Sequence, residues 1–201
     1  APSGPPLEQR RVNGVAANWV AWRAAWSIAG LPVQPGINRV LVQALDAQGK
    51  EIDRQTIEIW YDDGSVLNVS GSIATDTTWT AANGPYNLTA NLTINAGATL
   101  TLQPGTTVYL GSGVNLNVAN GGRLLAEGTP TARIRFTRPP GTSLYWGNLT
   151  LNGAGNSPET RLAYAHFEFN ANNAGLPCLQ VSGGTVFFDH LSFGNTGAPY
   201  I

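Results

Sequence analysis

The sequence predicts an all-β chain whose larger part is a repeat solenoid, on three observations. Apolar residues alternate with polar ones in many short runs, the pattern of half-buried strands. Gly, Asn and Thr are abundant, which suits strands joined by tight turns. Four stretches repeat one another about 24 to 33 residues apart: LTINAGATL from Leu92, LNVANGGRL from Leu116, LTLNGAGNSPETRL from Leu149 and LQVSGGTV from Leu179. Their alignable columns are Leu92/Leu116/Leu149/Leu179, Ile94/Val118/Leu151/Val181 and Leu100/Leu124/Leu162/Val186. Short strands repeated at this spacing stack as coils, each hydrogen-bonding to the next, so the expected architecture is a parallel β-helix.

The elements follow in chain order. Residues 1–63 differ from the rest: they hold four of the six Trp, the only Lys and seven of the twelve acidic residues. Strand signals run from Trp19 to Trp26, Asn38 to Leu45 and Gln55 to Tyr61, separated by turns at Pro35-Gly36 and Ala47-Gln48-Gly49. In a strand reading, Trp22 and Trp26 share a face and Trp19 lies opposite or in a turn. Asp62-Asp63-Gly64 is a short acidic link. Residues 64–201 then hold an N-terminal cap, with Trp79 capping the stack, and about four coils. The chain stops at Pro199-Tyr200-Ile201 without a polar capping segment. Because an uncovered coil exposes apolar surface and unpaired backbone, a fragment of a longer protein, or a second chain over that end, is expected.

Bulk properties exclude several function classes. The net charge of −1 leaves no electrostatic footprint for nucleic acid. No apolar run approaches membrane length. The one cysteine, Cys178, forms no internal disulfide and reads as a small buried residue. Spacing for zinc or a redox pair is lacking, and no cofactor is expected.

Two resemblances extend this reading. VNG (12–14), LPVQPGINRVLVQALDAQGKEI (31–52) and TIEIWYDDG (56–64) resemble bacterial immunoglobulin-like domains found beside secreted carbohydrate-active and surface proteins. Since Val12-Asn13-Gly14 comes almost at the start, the early strands are missing and the module is partial. GSIATDTTWTAANGPYNL (71–88), LTINAGATLTLQPGTTVYL (92–110), LLAEGTPTARIRFT (124–137) and SPETRLAYAHFEF (157–169) are similar to the N-terminal part of right-handed β-helix regions in large bacterial secreted proteins. Right-handedness, a bacterial source and a secreted or cell-surface location are what the resemblance implies.

Candidate chemistry lies on outward positions. The strands Thr107–Leu110, Arg133–Phe136, His166–Phe169 and His190–Phe193 bury Val108/Ile134/Phe167/Leu191 and Leu110/Phe136/Phe169/Phe193 if aligned end to end. The outward columns are then Thr107/Arg133/His166/His190 and Tyr109/Arg135/Glu168/Ser192. Tyr109, Arg133, Arg135, His166, Glu168 and His190 form the candidate ligand face, with charged groups for hydroxyls and a ring for stacking. The alternative is a solvated sheet face with one Arg135–Glu168 pair. His166, Glu168 and His190 have ligand types for a metal site, a weaker option. Catalytic signals are few. Arg133-Ile134-Arg135 resembles the Arg-x-Lys strand of β-helix pectin hydrolases, but their acidic and Gly-His-Gly motifs are absent, as is the acidic calcium cluster of pectate lyases. The expected function is non-catalytic polysaccharide binding. The alternatives are a structural spacer or adhesin segment, and a piece of a β-helix polysaccharide lyase or glycoside hydrolase.

Overall fold

The computed structural model describes residues 9–61, 63–170 and 177–195. Expectations for Asp62 and for the Pro199-Tyr200-Ile201 end lie outside them. By its internal contacts the chain divides into Ala1–Tyr61 and Asp62–Ile201.

The first unit holds β1 (Gln9–Val12), β2 (Val15–Val20), a 3-10 turn at Ala21–Arg23, β3 (Ala25–Ser27), β4 (Gly36–Leu45) and β5 (Glu51–Tyr61). They form one antiparallel sheet in the order β3-β2-β1-β4-β5. The facing sheet of a sandwich is not among the described residues. Valines at alternate positions bury one side: Val12, Val40 and Val42 are its core, with Ala17, Trp26, Ile57 and Ile59 packed against them. The Trp19–Trp26 segment is a hairpin rather than a strand. Trp19 pairs directly across from Trp26, and Trp22 sits in the turn at 80% exposure. The expected grouping of Trp22 with Trp26 is therefore corrected, because the 3-10 turn interrupts the period-2 alternation that it assumed.

The second unit is a parallel β-helix. Its first coil is β6 (Leu67–Ile73) and β7 (Thr77–Trp79), its second β8 (Tyr86–Ile94) and β9 (Thr99–Leu102). The third is β10 (Thr107–Leu110), β11 (Leu116–Val118) and β12 (Arg123–Glu127); the fourth is β13 (Ile134–Thr137), β14 (Leu149–Asn152) and β15 (Thr160–Ala163). The fifth is β16 (Ala165–Glu168), β17 (Leu179–Ser182) and β18 (Val186–Asp189), and β19 (Ser192–Gly194) begins a further coil. Three faces result: β6-β8-β10-β13-β16-β19, β6-β8-β11-β14-β17 and β7-β9-β12-β15-β18, with the long β6 and β8 serving two faces each.

On the second face the leucine column stands as the sequence predicts. Leu92, Leu116, Leu149 and Leu179 are in register and buried. Each contributes about 1.5–3 kcal/mol before ordering entropy is subtracted. On the third face the columns are Leu100–Leu124–Thr160–Val186 and Leu102–Ala126–Leu162–Phe188, so Leu162 lies two residues from its expected place. Thr160 occupies that place, buried, and its Oγ1 accepts the Leu124 N–H at 3.2 Å. Trp79 is buried in the first coil and stacks on Tyr86 at 4.3 Å.

The corners carry the polar chemistry of the stack. Between the first and second faces runs an asparagine ladder. Asn91 Oδ1 accepts the Asn115 N–H at 2.8 Å, and Asn115 Oδ1 accepts the Asn148 N–H at 2.9 Å. This satisfies amides that the bend takes out of the sheet. Gly147 sits against the ladder, where a Cβ would come within 2.0 Å of Asn115 Oδ1. Between the third and first faces, the upper coils turn on single residues in the left-handed region, Tyr164 (φ 46) and His190 (φ 48).

Candidate functional site

The first face carries the candidate residues, in a register that differs from the sequence reading. Thr107, Arg135, His166 and Ser192 share one column. The inward column beside it is Val108–Phe136–Phe167–Phe193, its last three rings stacked at 4.8 and 5.3 Å. Arg133 and His190 are not strand residues: β13 begins at Ile134, and His190 is itself a corner. Both strands are displaced by two residues from the end-to-end alignment. A two-residue shift returns every side chain to the same side, so apolar alternation could not detect it.

The six candidate residues fall into two groups and one outlier. Tyr109 is the outlier: it is 1% exposed, not an open ring. The first group is Arg135, His166 and Glu168, joined by Ser192. Arg135 Nη1 donates to Glu168 Oε2 at 3.1 Å, with the two side chains only 9% and 13% exposed. His166 Nε2 lies 3.0 Å from Glu168 Oε1, and its Nδ1 lies 2.7 Å from Ser192 Oγ. With the ring proton placed toward the carboxylate, Nδ1 accepts the Ser192 hydroxyl. Arg133 Nη1 reaches the same hydroxyl oxygen at 3.4 Å.

The second group is the corner itself. Tyr164 and His190 stack on adjacent coils at 4.4 Å, because both occupy the one-residue turn. The Arg133 guanidinium lies 5.7 Å from the Tyr164 ring centre, and its Nη1 donates to the His190 carbonyl at 3.0 Å. His190 Nδ1 is 2.6 Å from Asp189 Oδ1, and the His190 side chain is 56% exposed. The accessible part of the candidate site is this corner.

The metal alternative is corrected. Ser192, not His190, neighbours His166 in the column, and the His190 ring is turned into the Tyr164 stack. Among the described residues, no three His, Cys, Asp or Glu side chains are grouped to hold a metal ion. Asp63 opens a bend: hydrogen bonds from the Ser65 side chain and N–H lower its carboxyl pKa from the ordinary value. Burial pushes the Cys178 thiol up to about 12. On the third face Arg161 bridges Glu127 and Glu159 and lies 4.1 Å from the Phe187 ring centre.

Sequence reasoning missed Tyr164 as a site residue and the link of Ser192 to His166. The available signal was the pair Tyr164-x-His166-x-Glu168 and His190-x-Ser192, two adjacent coils with the same spacing after the corner.

The family model for the pectate-lyase like beta helix domain matches residues 71–175. No curated protein and no solved structure matches the chain.

Proposed function

Because the chain belongs to the family of pectate-lyase like beta helix domains, we propose that it is a non-catalytic polysaccharide-binding module whose contact point is the Arg133–Tyr164–His190 corner. The observation that supports this is the division of the site. Arg135 and Glu168 are engaged with each other below the surface, whereas at the corner the His190 side chain is 56% exposed, with the half-buried Tyr164 ring and Arg133 guanidinium beside it. A sugar offers an apolar ring face and hydroxyls, which such a corner matches. An open corner encloses little of a ligand, so the expected affinity is modest. The setting we propose is a secreted or cell-surface protein, in which residues 1–63 are a partial immunoglobulin-like module and 64–201 the solenoid.

Calorimetry against a panel of soluble polysaccharides tests the reading. His190→Ala and Arg133→Ala weaken binding while the melting temperature changes little. A panel without a binder, or a binder indifferent to both substitutions, removes the corner from consideration.

One observation favours a second reading. Ser192, His166 and Glu168 are hydrogen-bonded in the order nucleophile, base and orienting carboxylate. A fluorophosphonate probe separates the two readings. Labelling that Ser192→Ala abolishes makes this an acyl-ester hydrolase site, and no labelling leaves the relay structural.

A further inference from the structure

The first unit contains a cleft that the β-helix reading does not use. It measures about 230 Å³ and lies on the valine side of the five-stranded sheet. Its lining includes Arg10, Trp19, Trp26, Asp53, Arg54 and Gln55. The pairing explains why they meet. Trp19 stands opposite Trp26, Arg10 opposite Ala17 on the neighbouring strand, and alternation puts Arg10, Ala17 and Trp19 on one side. The Arg10 guanidinium lies 4.9 Å from the Trp19 ring centre.

Two donors on residues that line this cleft are left over. Arg10 Nε and Trp19 Nε1 are buried and have no hydrogen-bond partner among the described residues. Folded proteins avoid this, because a buried N–H that has lost water and gained nothing is unfavourable. Both groups are donors only and call for an acceptor. A carboxylate is the acceptor-only group that accepts two N–H donors and matches the guanidinium charge. Asp53 does not fill this role: neither donor reaches it, and its Oδ1 accepts the Arg54 N–H at 2.9 Å. Arg54, which also lines the cleft, is ion-paired with Glu51, so Arg10 is the cation that a bound carboxylate would meet. Size narrows the ligand further. Cavities for drug-sized molecules run to about 300–1,000 Å³, so this one suits a single small ring. Trp26, half-buried at the wall, offers indole surface for that ring to lie against.

We propose that the cleft binds a small six-membered ring bearing a carboxylate, with the carboxylate on Arg10 Nε and Trp19 Nε1 and the ring against Trp26. The inference stands on the first unit alone and does not depend on the glycan corner. A sugar acid and an aromatic acid share this chemistry, and the experiment distinguishes them.

The full chain, labelled with nitrogen-15, is titrated with glucuronate and with benzoate, and in parallel with their uncharged counterparts glucose and benzyl alcohol. The Trp19 indole N–H resonance is identified by its loss in Trp19→Phe. The expected result is a saturable downfield shift of that resonance with one acid and none with its uncharged counterpart; which acid acts names the source. Arg10→Lys keeps the charge but removes Nε, and weakens binding about tenfold, the loss of one charge-assisted hydrogen bond. Trp19→Phe keeps an aromatic ring but removes the indole N–H, and its Trp26 resonance reports the weakened binding. The proposal is overturned if neither acid shifts the resonance, if acid and uncharged counterpart act alike, or if Arg10→Lys binds as well as the parent. Arg133→Ala leaves this titration unchanged, so the failure of one site is not the failure of the other.

Discussion

Arg135 and Tyr109 sit at positions that alternation assigns to the outside, yet they are 7% and 1% exposed. Truncating either therefore acts on stability. Arg135→Ala leaves the nearly enclosed Glu168 carboxylate without its guanidinium, a loss of about 3–5 kcal/mol for a buried pair broken from one side. Tyr109→Ala empties a large buried volume at a similar cost of about 3–5 kcal/mol. Chemical denaturation checks both, and midpoints equal to the parent's would show that these side chains are not enclosed in solution. Cys178 allows a prediction in pH. Burial raises its folded-state pKa to about 12, against about 8.5 for an unconstrained thiol. The folded protein then holds the proton more tightly than the unfolded chain. The stability this contributes is present below the unfolded value and is lost as pH rises through the folded one. At neutral pH the thiol carries almost no thiolate, so an aromatic disulfide reagent reacts with Cys178 only after denaturant is added. Prompt reaction in native buffer contradicts this.

At the scale of elements, the strands from β9 onward are three to five residues long and are held by hydrogen bonds at corners as well as along faces. The Asn91–Asn115–Asn148 ladder does this between the first and second faces. Gly147→Ala would drive a Cβ into Asn115 Oδ1, and backbone would have to shift because that oxygen is already engaged by the Asn148 N–H. A loss of about 1–3 kcal/mol is expected, in the range of overpacked sites. Asn115→Ala removes the acceptor instead and costs about 1–3 kcal/mol for the amide left unpaired. Thermal melts of the two variants and the double variant check the mechanism: once Asn115 is Ala the contact with its Oδ1 is gone, only the 3.0 Å approach to the Val114 carbonyl oxygen remains, and Gly147→Ala should cost clearly less than it does in the parent. Full additivity would mean that Gly147 is needed for another reason.

At the scale of the molecule, each unit has its own core. Val12, Val40 and Val42 belong to the first, and the continuous cluster from Ile73 to Leu179 to the second. Residues 64–201 expressed alone are therefore expected to unfold cooperatively and to keep any glycan binding that depends on Arg133 and His190. Circular dichroism and calorimetry on that piece check this, and a piece that aggregates or melts without a transition argues against independent units. The family match at residues 71–175 lies wholly within the second unit.

The sequence by itself determined that residues 92–181 stack as coils and that Leu92, Leu116, Leu149 and Leu179 share a column. Those residues recur with the same flanking pattern, and burying them together requires nothing further. It also kept Tyr109, Arg133, Arg135, His166, Glu168 and His190 within one neighbourhood. Only the tertiary structure decided which of them touch. Alternation has a period of two, so a slip of two residues costs the core nothing that a reader of sequence can see. What separates the registers is the length of each corner: a loop before Ile134, and single left-handed residues at Tyr164 and His190. Those corners join Arg135, His166, Glu168 and Ser192 below the surface and leave Arg133, Tyr164 and His190 at the edge. In the first unit the same holds on a smaller scale. The tryptophans were legible as packing residues, but the 3-10 turn at Ala21–Arg23 decided that Trp19 faces Trp26 and that Trp22 stands in solvent.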